Sequence, residues 1–293
     1  MNILVGLVPA ALWGLMPLIA GKTGGRPINQ LVGNTYGALI VAIVIALFKH
    51  PQLSGSAFFW CLLSGACWAC GQLSQYWSFP EIGVSRAMPI STGAQLVGTS
   101  VVGVLFFGEW ATGFDKTFGF FALILIIIGI LLTTKTDKQD AQQGLDPAVL
   151  RRGTSVLLLG TIGYVGFSAL PQIPVVDGWS AFFPQAIGMV LASIVISFFY
   201  RDKNEPNPLV DRKSFANILV GIDFGIATAV YMYSTKVNGI ATGFTLSQMS
   251  VIVSTLSGIL LLGEKKSKKG LIYVTLGLII VVIGGIITGS LGK

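Results

Sequence analysis

Asn217–Val237 reads NILVGIDFGIATAVYMYSTKV. The run is apolar and long enough to cross a bilayer, whose hydrocarbon core takes about 20 residues of helix. Near its middle is one carboxylate, Asp223, between Gly221 and Gly225. An acid at that depth costs roughly 2.5–3.5 kcal/mol on insertion scales, and desolvation disfavours its charged form. A group that takes up and returns a proton needs that property, so Asp223 is the candidate proton-coupling residue. The plainer reading is a structural hydrogen-bonding group facing another helix. Every other acid lies in a loop or at the end of an apolar run.

The rest of the chain reads the same way. Of its 293 residues, 53% are hydrophobic and 11% charged, against the roughly 25% charged of a soluble domain. Ten apolar runs of spanning length follow one another: 2–21, 30–48, 56–79, 86–107, 115–134, 153–174, 179–199, 214–235, 239–262 and 269–290. The first lacks a basic leading region and runs on into a multi-span chain, so it is expected to stay as a span rather than be cleaved.

The net charge of +7 does not form a phosphate-binding face, because the basic residues are confined to short gaps between the runs. Nucleic acid is therefore not an expected partner. The gaps after odd-numbered runs hold Lys22 and Arg26, then Arg86, then Lys135, Lys138, Arg151 and Arg152, then Arg201, Lys203, Arg212 and Lys213, and last Lys265, Lys266, Lys268 and Lys269. The even gaps and the C-terminus hold only Lys49, Lys116, Lys236 and Lys293. By the positive-inside rule the odd gaps are cytoplasmic, and both termini are extracytoplasmic.

Enzyme chemistry finds no footing. Cys67 and Cys70 make a CxxC pair, but with Cys61 they lie inside one apolar run with no second pair and no nearby histidine, which favours packing over metal or redox chemistry. The one histidine, His50, precedes Pro51 in a gap. A zinc set and a Ser-His-Asp triad both lack members, and no GxxxxGK[ST] loop is present. No metal or cofactor is expected.

The longest gap, 135–152, is polar and contains Asp146-Pro147; it reads as a cytoplasmic linker between halves 1–134 and 153–293. The halves resemble each other. GNTYGALIVAIVIALF (Gly33–Phe48) aligns without a gap on PQAIGMVLASIVISFF (Pro184–Phe199), and VLFFGEW (Val104–Trp110) on ILLLGEK (Ile259–Lys265). Five spans per half is an odd number, so the second copy inserts upside down. Inverted repeats are a hallmark of secondary transporters, whose substrate sites lie near the midplane between the halves. The expected fold is an all-α integral membrane protein, ten transmembrane helices arranged as two inverted five-helix repeats.

LVPAALWGLMPLIAGKTGGRPINQLVGNTYGALIVAIVIALF (Leu7–Phe48) closely resembles the opening of the bacterial glucose and ribose uptake permeases of the drug/metabolite transporter superfamily. The helix ends Gly108-Glu109 and Gly263-Glu264 are similar to those across that superfamily, and the resemblance extends over essentially the whole chain. It implies a ten-helix permease of the bacterial inner membrane working as a sugar–proton symporter. It assigns no residue roles.

A neutral, hydroxyl-rich sugar needs amide and hydroxyl partners and an aromatic face for its C–H side. In the third run Trp68, Gln72, Gln75 and Phe79 recur at i, i+4, i+7 and i+11, which puts two amides and two aromatics on one helical face. In the fourth, Ser91 or Thr92 shares a face with Gln95 and Thr99. Asn34, between Gly33 and Gly37 in a small-xxx-small pattern, Tyr231, Ser247, Gln248 and Trp13 complete the candidates, with Gln172 and Gln185 as further amides. Asp223, Ala227, Tyr231 and Ser234 form the face of the second half that matches the glutamine face of the first. Each has an ordinary alternative: Ser and Thr bond their own i−4 carbonyls, Asn and Gln join helices, and Trp13 packs or anchors at an interface. Glu81 and Arg86 read as an interfacial pair or gate.

The expectation is uptake of a neutral monosaccharide, glucose or ribose, by proton symport with alternating access, with the lipid bilayer as surroundings. A proton-coupled metabolite or drug exporter and a sugar uniporter are the alternatives, and a homodimer stays open.

Overall fold

A computed structural model describes residues 3–135, 146–200, 204–238, 243 and 246–291. These residues are almost wholly helical: α1 (Ile3–Thr23), α2 (Pro27–Lys49), α3 (Gly55–Ile82), α4 (Val84–Phe106), α5 (Gly113–Thr133), α6 (Pro147–Ala169), α7 (Gly178–Phe199), a short α8 (Arg212–Ala216), α9 (Ile218–Asn238), α10 (Ser250–Leu260) and α11 (Lys268–Ser290). A 3-10 turn, Leu170–Gln172, extends α6. Among the described residues nine helices are long and apolar enough to cross a membrane. The ninth expected run, 239–262, is described only in part, as α10 with Gly243 and the turn before Ser250.

Helix starts follow capping chemistry. Ser54, Thr112, Asp146, Asp177 and Ser267 each place a side-chain oxygen on a backbone N–H of the first turn, satisfying a donor that the helix leaves free. Asp146 with Pro147 behind it starts α6 inside the stretch read as linker, whose residues 136–145 lie outside the described set. The pair is an N-cap followed by proline in the first turn, a helix-starting signal that outweighs the polarity around it.

The outer faces are apolar because lipid, not water, covers them. On α5, Phe114, Phe118, Phe121, Ile124, Ile128 and Leu131 are exposed, while the opposite stripe buries Gly119, Ala122, Ile126, Gly129 and Thr133. Small residues on the inward stripe let helices approach closely, as membrane packing requires. One very close approach joins α2 to α9. A Cβ added at Gly37 would collide with the Ile218 carbonyl, and one added at Gly221 with the Asn34 carbonyl. Cys67 is likewise a packing residue, set against Gly163 and Gly166 of α6.

Helix partners come in matched sets. α3 packs on α6 as α9 packs on α1; α3 on α7 as α9 on α2; α4 on α6 as α10 on α1. The pairs α2–α7, α4–α10 and α5–α11 join helices of the same ordinal place in each half. The two Gly-Glu ends match too. Glu109 N–H donates to the Gly103 carbonyl at 3.1 Å and Glu264 N–H to the Gly258 carbonyl at 3.2 Å, with Gly108 and Gly263 at φ near +70°. That left-handed backbone suits glycine, which carries no Cβ.

Candidate functional site

Where the helices cross, side chains of α1, α3, α4, α6 and α9, with Ser247, Gln248 and Ser250, enclose a cavity of about 270 Å³. It lies near mid-depth: Trp13 is close to the middle of α1, Trp68 of α3 and Thr92 of α4. Its described lining contains no Asp, Glu, Lys, Arg or His.

One wall is an array of amides and hydroxyls. Gln72 accepts from the Tyr164 hydroxyl at 3.0 Å and donates to the Gln75 carbonyl oxygen at 3.3 Å. Gln75 donates to the Ser91 hydroxyl at 2.7 Å, and Gln95 donates to the same oxygen at 3.0 Å. The chain of bonds runs from α6 through α3 to α4. It fixes the amides in place while each Nε2, with two hydrogens, keeps donor capacity beyond the one bond named. The 3.6-residue period of α3 is what turns Gln72 and Gln75 to the same side, with Trp68 above and Phe79 below; all four reach the cavity.

Much of the remaining lining is aromatic. The rings of Trp68 and Phe224 lie 4.7 Å apart, Trp13 and Tyr231 5.4 Å, Trp68 and Phe167 6.4 Å, and Trp13 and Phe224 6.5 Å. These are ordinary separations for tilted aromatic pairs, and together they make a rigid apolar surface. The indole N–H of Trp13 is buried and has no partner among the described residues.

Of the residues singled out from the sequence, Trp13, Trp68, Gln72, Gln75, Gln95, Tyr231 and Gln248 line this one cavity. Asn34 does not. It is fully buried behind the wall and donates its amide to the Tyr76 hydroxyl at 2.6 Å. Tyr76 is the lining residue there and also bonds Gln72, so Asn34 touches the cavity at one remove.

Asp223 is not a lining residue either. It is 9% exposed, and its Oδ2 has no hydrogen-bond partner among the described residues. It sits on α9 between Gly221 and Gly225, the glycines that abut α2, close enough to Tyr76 to act on it electrostatically. The expected face Asp223–Ala227–Tyr231–Ser234 therefore does not enter the cavity as a unit. Phe224 and Tyr231, seven positions apart, do, because close packing on α2 rotates Asp223 away from it.

Gln185 donates to Ser64 at 2.9 Å and Gln172 to the Ser168 carbonyl at 3.4 Å, so both work within the scaffold. Arg86 is buried in the first turn of α4 rather than placed at a rim. Tyr76, Tyr164, Phe167 and Phe224 were not among the sequence candidates. A tyrosine or phenylalanine in an apolar run looks like any packing residue; only the i+4 step from Gln72 to Tyr76 pointed inward.

Comparison with known proteins gives one consistent result. Residues 4–291 match the family model described as "Sugar transport protein". The Bacillus subtilis "Glucose uptake protein GlcU" is 42% identical, over 99% of this chain and 98% of its own length. A Latilactobacillus sakei protein named "Putative ribose uptake protein RbsU" is 46% identical, over 98% and 97%. A solved crystal structure only 14% identical superposes with a TM-score of 0.59, over 97% of this chain and 95% of its own, and carries the fold alone.

Proposed function

The chain belongs to the sugar transport protein family, a multi-pass membrane transporter rather than an enzyme, and we propose that it takes up a neutral monosaccharide, glucose or ribose, through the central cavity. The observation that carries this reading is the lining itself: among the described residues it is uncharged and combines amides and hydroxyls with aromatic rings. Hydroxyls of a sugar pair with Gln72, Gln75 and Gln95, and its C–H face lies on Trp68 and Trp13. The names borne by the relatives, glucose uptake and ribose uptake, favour these two sugars.

Uptake is driven by protons through Asp223. The carboxylate is buried, incompletely partnered and close enough to Tyr76, a lining residue of the cavity, to act on it electrostatically, so protonation and sugar occupancy act on one shared side chain. The coupling is reciprocal: if neutral Asp223 favours sugar binding, sugar favours proton binding by the same factor. The matched helix pairs support two inverted five-helix repeats, with the halves rocking about a site shared between them.

The exporter alternative is less well supported. Cationic drugs are best held by an acid within the cavity, and the described lining offers none.

The test is uptake of radiolabelled glucose and ribose into proteoliposomes, with and without a pH gradient acidic outside. Accumulation driven by the gradient supports symport and identifies the preferred sugar. Equilibration without accumulation leaves a uniporter and returns Asp223 to a structural role. Movement of neither sugar overturns the reading.

A further inference from the structure

A second cavity, of about 410 Å³, lies below the first. Its lining comes from one end of the bundle: Gly24 and Gly25 of the α1–α2 turn, Gly83 of the α3–α4 turn, and Leu262 and Glu264 after α10. The two cavities share three residues, Pro17, Tyr76 and Phe79. At the opposite end a crevice of only about 20 Å³, between Thr99 and Gln172, touches the central cavity at Ser168. The described residues thus place a roomy vestibule beside the central cavity, towards one end of the bundle.

The three shared residues are unequal. Tyr76 is 1% exposed and held by Asn34, so it is fixed. The Phe79 side chain has no hydrogen-bonding group. Its ring meets Tyr76 edge-on at 6.0 Å and packs against three separate apolar clusters, each of which it could join alone. Both helices beside it are weakened at this level. Pro17 removes the N–H that would bond the Trp13 carbonyl, and Pro80 the one that would bond the Tyr76 carbonyl. Immediately below, α3 ends at Gly83 with φ +82°.

Resting on the transport reading above, we propose that the vestibule is the route by which the substrate leaves the central cavity, and that the Phe79 ring is the door between them, swinging against Tyr76 as a fixed jamb. Closing this route needs no new polar contact, only the ring in the gap. Opening it exchanges one apolar contact of Phe79 for another, so a neutral solute passes with no charged latch to break.

The test uses Phe79→Ala, Phe79→Leu and Phe79→Trp in the full-length protein. In proteoliposomes, sugar exchange at equal concentrations on both sides should quicken several-fold with Phe79→Ala, stay near the parent rate with Phe79→Leu, and slow several-fold with Phe79→Trp. A merely structural role predicts slower exchange and a lower melting temperature for both extremes. A second readout needs no sugar: in a background with Cys61, Cys67 and Cys70 replaced by Ser, the rate at which a charged methanethiosulfonate reagent modifies Thr92→Cys should rise with Phe79→Ala and fall with Phe79→Trp. Thiol rates that ignore the size of residue 79 overturn the door, whatever the sugar data show. Thiol rates that follow it, in a protein that moves neither sugar, uphold the door and overturn the choice of substrate.

Discussion

The side-chain amide of Gln75 donates to the Ser91 hydroxyl at 2.7 Å, a bond between α3 and α4 that holds one glutamine of the cavity wall at a set height. Gln95 donates to the same oxygen from one turn further along α4. Two amides thus share one acceptor, and their spacing is set by the scaffold before any ligand arrives.

Removing one of these donors should weaken sugar binding by about one neutral hydrogen bond. Gln75→Leu is expected to raise the KM for uptake by roughly 2- to 12-fold, the equivalent of about 0.5–1.5 kcal/mol. Gln72→Leu should cost more, because it also strands the buried Tyr164 hydroxyl. Saturation curves in proteoliposomes give both values, and an unchanged KM for the two variants would remove the glutamines from the site.

Asp223→Asn keeps the shape and removes the titratable group. Sugar exchange should continue, while accumulation against a gradient disappears. If the variant still concentrates sugar as the parent does, Asp223 is not the carrier.

The contact between α2 and α9 leaves no room for a side chain. Gly221→Val drives its branch into the Asn34 carbonyl and should destabilise the protein by about 1–3 kcal/mol, seen as a melting temperature lowered by several degrees in detergent. Gly108→Ala is the control for space, since nothing lies within 4 Å there and only its positive φ is strained. Equal melting temperatures for parent and Gly221→Val would contradict the close approach.

The basic gaps predict an orientation that labelling can check. In intact cells a membrane-impermeant thiol reagent should label Lys116→Cys and spare Lys266→Cys, with the native cysteines replaced. The reverse pattern would put the vestibule end outside and turn the proposed exit into an entrance.

Much of this was legible in the chain. Nine of the ten apolar runs are long helices among the described residues, since only a helix satisfies its own backbone in lipid. Trp68, Gln72, Gln75 and Phe79 could be placed on one face because α3 is regular over that stretch, and a polar residue in an apolar run stands out. Tyr164 and Phe224 could not be found this way. Their role depends on which face α6 and α9 present, and that is decided by glycine contacts with α3 and α2 rather than by any local pattern. Asp223 was conspicuous for its cost, yet its distance from the cavity follows from the rotation of α9. Asn34 was conspicuous too, and the structure sets it behind Tyr76.

Glu264 has a consequence for how the protein is made. Its carboxylate accepts the backbone N–H groups of Val84 and Ser85 and the Ser85 hydroxyl, so it caps the start of α4 from nearly two hundred residues downstream. Until that residue leaves the ribosome, the first turn of α4 has no such acceptor. α5 likewise waits for α11, and α2 for α9. Several of the contacts that hold the helices of the first half are therefore absent until the second half has been made. The full set of contacts seen here can form only once the last helices have been made, so they come late in translation.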